Sequence, residues 1–558
     1  MTPTLRLVAA IGLILTACAP TVSGPGSPRP VPERVIPTVD LATTTTAAVA
    51  DQTLQAVPEC STEFCVVYHI DPRAEWSDGM PVTGDDFAYT VSVDRTATTG
   101  SSDYSAVAGV EVLDERTVMV AFEEPYGSWQ TLFGRVFRTG EDPSSIAELS
   151  TTGPFRFVGW EEGARLTLAR DPQWWGLEDP LSGAPLGDVA EITFVFIDDD
   201  EMLGALADGE ADVIVARPDQ PMAEEVSSLD GVDHTLSPGP FWEHIDFHHD
   251  HPLLSQGWAR EAISLAIDRE EILDRTIRSI SPGSTPLDST VFMAGTQSYE
   301  PHYDVPHDPE RAEQILVDNG CARGADGVQV CDGIEMSFVW ASTNDDPDRR
   351  EIFESAREDL AAVGIALRSD LRSPSAFVTR DFLFGGPDVW QLINFSWRAR
   401  PDPFSSNSTY FCGEAGDLNV TRYCSEQVES LVRSTESMTD PVERAETYNR
   451  AGRRYLEDRA VIPLYQKPRL MAWTSELQGP EPNYTLSSDL WNVASWTGKE
   501  SIVVALTSEP ADMNPVSEAD DSANVILGAL MYGAFGMSPS HEYVPALVES
   551  VDVIQARP

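Results

Sequence analysis

Four histidines, His244, His248, His249 and His251, fall within eight residues. Imidazoles at close spacing are the usual metal ligands. On a strand, His244 and His248 share one face while His249 and His251 share the other. They converge only if the chain turns at Pro252, so a structural role is expected and no metal site is assigned. The spacings of nucleophilic and zinc-dependent hydrolases are missing: there is no GxSxG, no HExxH and no CxxC. With 90 Asp and Glu in the chain, carboxylates near one another carry no information about acid–base chemistry. No catalytic residue and no cofactor is assigned, and the expectation is a protein that is not an enzyme.

The seven cysteines divide into Cys18 and three local pairs, Cys60 with Cys65, Cys321 with Cys331, and Cys412 with Cys424. Each pair would close a short loop, worth roughly 2–3 kcal/mol as a disulfide. Disulfides require an oxidising compartment, and the N-terminus points to one. Arg6 precedes an apolar run from Leu7 to Ala17, short of the ~20 residues that span a bilayer. The run ends Leu15-Thr16-Ala17-Cys18, which resembles a bacterial lipobox, so residues 1–18 are read as a signal peptide and Cys18 as a lipidation site on the outer face of the membrane. Residues 19–50, rich in Pro, Thr, Ser and Ala, read as a flexible tether.

Lys and Arg number 37, giving a formal net charge of −53. Such a chain repels phosphate backbones, which excludes nucleic acid as a partner. The acid is distributed along the whole chain and reads as a solubilising surface. At 558 residues the chain exceeds one core, so two or three domains are expected.

Short β-rich runs dominate the first third: 66–70, 110–113, 117–122, 165–168 and 192–196. A helix over 201–207 ends at Asp208-Gly209. Apolar spacing over 258–277 predicts one further helix. Asp308-Pro309 starts another with an N-cap and a proline in the first turn, and 349–363 and 441–458 are two more. Strands at 336–340 and 391–395 alternate with these helices, the pattern of an α/β lobe.

The run Trp76-Ser77-Asp78-Gly79-Met80-Pro81-Val82-Thr83-Gly84-Asp85-Asp86-Phe87 resembles the signature of the family-5 extracellular solute-binding proteins, the oligopeptide, dipeptide and nickel binders of ABC importers. Further elements follow in the family's order: Thr152-Gly153-Pro154-Phe155, Arg170-Asp171-Pro172-Gln173-Trp174-Trp175, Ala207-Asp208-Gly209-Glu210-Ala211-Asp212, Ala266-Ile267-Asp268-Arg269 and Val461-Ile462-Pro463-Leu464-Tyr465. The resemblance implies a type II periplasmic-binding-protein-like α/β fold, two lobes joined by hinge strands and closing on a ligand. It places lobe I at 51–245 with 475–558 returning to it, and lobe II at 246–474. It implies capture of a peptide or peptide-like solute by a monomer and delivery to a permease with its ATPase. Nickel chelate, oligosaccharide and opine are alternative ligands of the same fold, and a sensor or a hydrolase without transport is the alternative of another class.

Phe395-Ser396-Trp397-Arg398-Ala399-Arg400-Pro401-Asp402-Pro403 is similar to the loop that receives the ligand's ammonium end in the peptide binders. Trp397 would wall the pocket, with Arg398 beside it. Arg400 falls where an ammonium-binding aspartate is expected. Asp402 either takes over that role or is a turn aspartate, and Arg400 would suit a ligand carboxylate. Trp242, Glu518 and Ala519 are the remaining pocket positions. Residues 501–558 resemble the start of the family: a strand, a Glu509-Pro510 loop, a helix and Pro545-Ala546-Leu547-Val548-Glu549-Ser550. Two explanations stand, a circular permutation and the truncated start of a second copy. Either way the segment should pack on lobe I, since its strand is otherwise an unpaired edge.

Overall fold

The computed structural model describes residues 59–96, 102–144, 146, 149–413, 418–483, 489–516 and 521–555. The signal peptide, the tether, Cys18, Glu518 and Ala519 lie outside the described residues. In chain order the strands are β1 Phe64–Ile70, β2 Val107–Asp114, β3 Thr117–Phe122, β4 Phe155–Glu161, β5 Arg165–Arg170, β6 Glu191–Phe196, β7 Val213–Ala216, β8 Val232–Phe247, β9 Ala322–Arg323, β10 Gln329–Cys331, β11 Ile334–Glu335, β12 Ser337–Thr343, β13 Ala366–Arg372, β14 Leu392–Arg398, β15 Val461–Thr474, β16 Ser501–Leu506, β17 Phe535–Met537, β18 Tyr543–Pro545 and β19 Val548–Gln555.

Ten of them form one sheet in the order β13-β12-β14-β8-β15-β7-β16-β6-β5-β4. Its two halves belong to different lobes, and β8 and β15 run through both. Residues 232–238 pair with 468–474 in the first lobe, and 242–246 pair with 461–466 in the second. The register slips between Pro463 and Tyr465 and again between Gln466 and Pro468. Prolines cannot donate to a ladder, so the two strands lose pairing where one lobe hands over to the other. This is the hinge. Gly239 sits there because a Cβ would lie 3.0 Å from the Lys467 carbonyl oxygen.

The first-lobe half of the sheet is covered on both faces. Leu166, Ile192, Phe194, Ile502 and Val504 pack with the helix Asp521–Leu530 on one side. Met202, Leu206, Ile214, Leu470 and Ala505 fill the other. A second sheet, β19-β1-β3-β2, adds a separate core around Tyr68, Phe87, Phe133 and Leu547. Trp174 and Trp175 pack against it, and both indole Nε1 atoms donate to the Thr152 carbonyl. The second lobe's core gathers Ile263, Leu316, Phe338, Trp340, Ile352 and Leu456 from four helices and the strand β12.

The C-terminal segment lies inside the first lobe. β16 is inserted parallel between β6 and β7, and β19 runs antiparallel to β1 over its whole length.

The sequence predicts one helix over 258–277, but two are present, Gly257–Ala266 and Arg269–Arg275. Asp268 breaks them, its carboxylate accepting from the Glu270 and Glu271 amides. A capping aspartate outweighs apolar periodicity there. The helix expected from Arg349 begins earlier, at Pro347, with Asp346 as its cap.

All three local cysteine pairs are bonded. Cys321 and Cys331 sit within the second lobe's core. Cys321→Ser with Cys331→Ser should lower stability in chemical denaturation by about 2–3 kcal/mol, while Cys60 and Cys65, at the start of the interior strand β1, should respond independently. An unchanged midpoint on losing the Cys321–Cys331 bond would count against a stabilising role.

Candidate functional site

Between the lobes lies a cavity of about 390 Å³. The first lobe contributes Val215, Arg217, Leu506 and Val525, the hinge contributes Phe241, Lys467 and Arg469, and the second lobe contributes Asp345, Asp346, Arg349 and Ser396. A smaller recess of about 50 Å³ opens on the opposite face of the β14-β8 pair, and Trp242, Trp397, Arg398 and Arg400 line it together.

Strand alternation explains the division. In antiparallel pairing, opposed residues share a face. Trp242 opposes Trp397 and His244 opposes Phe395, so these four share one side. Glu243 opposes Ser396 one residue along and points the other way.

Glu243 lies behind the cavity wall, bonded to three residues that line it, Ser396, Arg349 and Lys467. It is fully buried. Its Oε1 accepts from Ser396 Oγ at 2.6 Å and Arg349 Nη2 at 3.0 Å, and Lys467 Nζ lies 2.9 Å away. Its Oε2 accepts from Asn394 Nδ2 at 2.9 Å. Lys467 also contacts Asp346, the cap of the helix Pro347–Ala362. Burial alone would raise the Glu243 pKa, but Lys467, Arg349 and the Ser396 hydroxyl together hold it at about 2. The network ties β8, β14, β15 and a second-lobe helix at the hinge. Arg469, on the same wall, bonds to buried Asp489 at 2.6 Å.

On the other face, Trp242 is buried against Leu287 and Met293. His244 lies between aromatic rings, with Trp242 at 4.8 Å and Trp397 stacked at 5.9 Å. Its Nε2 shares a hydrogen bond with Asp246 Oδ2 at 3.0 Å. Arg398 reaches across to Asp521 of the first lobe at 3.6 Å, and Arg400 is exposed.

Asp402 does not join the other candidates. Its carboxylate caps the turn that follows by accepting from the Phe404 amide at 2.9 Å. Arg444 grips both its oxygens, at 2.8 and 2.9 Å, and donates to Ser128 Oγ of the first lobe at 2.7 Å. Beside it, Gly127 donates to the Glu436 carbonyl at 2.7 Å, and Tyr126 meets Phe404 edge-on at 5.6 Å. This is a second contact between the lobes, away from the hinge. A Cβ on Gly127 would lie 2.5 Å from the Met438 carbonyl oxygen, so only glycine permits the approach. Arg444→Ala strands a buried carboxylate and should cost about 3 kcal/mol. Gly127→Ala keeps every charge yet wedges the contact. Both should enlarge the radius of gyration in solution scattering. A Gly127→Ala protein with an unaltered radius would show that the contact does not hold the lobes together.

The four histidines do not converge. His248 Nε2 meets the Gly385 carbonyl, His249 Nε2 meets the Ala460 carbonyl, and His251 Nδ1 accepts from the Leu253 amide. Burial, helped by Arg260, lowers His249 to about 3 and keeps it neutral. Among the described residues no three or more His, Cys, Asp or Glu group as metal ligands.

Sequence reasoning missed Glu243, Arg349, Lys467, Arg217 and Arg469. One signal was available. The chain has only two lysines, Lys467 and Lys499, and a lysine kept where arginine is otherwise used suggests a compact point charge with room for little else.

Two α/β lobes, a pair of crossing hinge strands and a cavity walled from both sides define a type II solute-binding clamp. Residues 64–416 match the bacterial extracellular solute-binding proteins, family 5, middle region, and the chain belongs to that family. The oligopeptide-binding protein OppA of Mycobacterium tuberculosis is 27% identical over 443 residues, covering 74% of this chain and 71% of that protein. The oligopeptide-binding protein AppA of Bacillus subtilis is 23% identical over 463 residues, covering 76% and 79%. The solved structure of the periplasmic EDTA-binding protein EppA shares the fold with a TM-score of 0.67 at 23% identity, covering 78% of this chain and 85% of that one. Family 5 consists of extracellular binding proteins and not of enzymes. No described helix is long and apolar enough to cross a membrane.

Proposed function

We propose that this protein is the substrate-binding component of an ABC importer, that it captures peptides or peptide-like solutes by lobe closure, and that it hands them to a membrane permease. The observation that carries this is the cavity of about 390 Å³ walled by both lobes across the hinge. A ligand touching both walls favours the closed form by its extra contacts there. The relatives named as oligopeptide binders support peptide as the solute. Export through residues 1–18, anchoring at Cys18 and a monomeric state belong to the same proposal. So does a relocated opening segment, a circular permutation, which agrees with the insertion of β16 between β6 and β7.

Mass spectrometry of solutes released on denaturing the purified protein tests the reading. A peptide or peptide conjugate is expected. A sugar or a metal chelate in its place would replace peptide as the ligand class.

A further inference from the structure

The recess beside Trp397 differs in charge from the rest of the molecule. Acids outnumber bases 90 to 37 along the chain, yet this recess is lined by Arg398 and Arg400 and by a single acid, Asp246. Asp246 is 2% exposed and engaged by His244. Asp402, the nearest acid in sequence, has both oxygens on Arg444. Asp521, across the cleft, faces Arg398. Among the described residues Arg400 has no acidic partner.

A ligand ammonium placed here would meet two guanidiniums and no available carboxylate on the recess wall. A ligand carboxylate would meet a planar fork of donors that matches its two oxygens. Trp242 and Trp397 supply apolar walls beside the guanidiniums. The chain's overall negative charge does not cancel the preference, since fields beyond about 8 Å are screened at physiological salt.

We propose that this recess seats a carboxylate-bearing end or side chain that the captured solute extends past Arg398, which lines the recess and spans to Asp521 on the wall of the main cavity, with Arg400 as its partner. The inference rests on the reading of the protein as a binder of peptide-like solutes. It makes Arg400 a specificity-determining residue and predicts discrimination against solutes that present a free ammonium at this position.

The test uses one mixed-sequence hexapeptide in three forms, with a free, an acetylated and a succinylated amino end. Binding to the ligand-stripped full-length protein is followed by tryptophan fluorescence. The succinylated form is expected to bind at least tenfold more tightly than the free form, and Arg400→Gln is expected to remove that advantage. Tightest binding of the free form, or an Arg400→Gln protein with the same preference as the wild type, would overturn the carboxylate assignment and leave peptide capture standing. Failure of all three forms to bind would overturn both.

Discussion

A chain ended after Glu500 is expected not to fold. The missing residues include β16, an interior strand of the ten-stranded sheet with neighbours on both sides. Ile502, Val504 and Ala505 on it are fully buried, and the helix Asp521–Leu530 adds Ile526, Leu527 and Leu530 to the same core. In the smaller sheet, loss of β19 uncovers one edge of β1. Each buried aliphatic side chain of this size is worth roughly 1.5–3 kcal/mol, and those named together are comparable to the roughly 5–15 kcal/mol that holds a typical domain together. The junction is also tight. A Cβ on Gly533 would lie 2.2 Å from the Phe133 carbonyl oxygen, so the segment fits against a first-lobe loop with no slack. Circular dichroism and thermal melting of the 59–500 fragment measure the outcome. A cooperative transition at the full-length temperature would show that the first lobe is complete without the segment.

The same geometry predicts a rescue. Antiparallel pairing sets Gln555 opposite Phe64, close to where the described fold begins. A linker of a few residues from Gln555 to Glu59, with new termini opened between Glu500 and Ser501, should give a protein that melts and binds as the natural order does. Termini lying close at the surface are the usual condition for such a change. If that reordered chain aggregates, the relocated-segment proposal loses its physical support.

How far the residues announced this arrangement varies with the kind of signal. β3 was legible to its ends, because Thr117–Phe122 is a β-branched and apolar run bounded by a turn. Apolar periodicity runs through 257–275 without a break, and only Asp268, the cap between the two helices, marks where they part. Trp242 and Trp397 are separate pocket candidates in the sequence and line one recess in the structure, yet periodicity gives no hint that register puts them on one face and Glu243 on the other. Asp402 illustrates the opposite limit. Its type suits an ammonium, but what claims it is Arg444, forty-two residues away, and the first lobe's Ser128. Such pairings depend on tertiary approach and leave no local pattern. Among 90 acids, the one carboxylate that organises the hinge looks like any other.

That carboxylate gives the second large effect. Glu243→Gln should lower stability at neutral pH by about 3–5 kcal/mol, the range for breaking a buried ion pair while its partners stay. Gln keeps the shape and part of the hydrogen bonding, but Arg349 and Lys467 lose the charge that offsets their own desolvation. Lys467 retains Asp346, while Arg349 retains only Ser396 and Thr343 as hydrogen-bond partners. The pH dependence follows from the same network. A carboxylate held at about 2 in the fold and near 4.5 when unfolded binds its proton more readily in the unfolded chain. Its stabilisation, on the order of 3 kcal/mol, is therefore complete above about pH 4.5 and fades as pH falls toward 2. Urea midpoints measured from pH 7 to pH 2.5 should show the wild type losing this increment and Glu243→Gln, which has nothing to titrate there, losing less. Replacing Glu243, Arg349 and Lys467 together by Met, Leu and Met should recover part of the lost stability, because the desolvation of all three charges is then removed. Equal midpoints for wild type and Glu243→Gln at pH 7 would mean that the network fixes the angle between the lobes without stabilising either, and the place to look for its effect would then be the rate of closure.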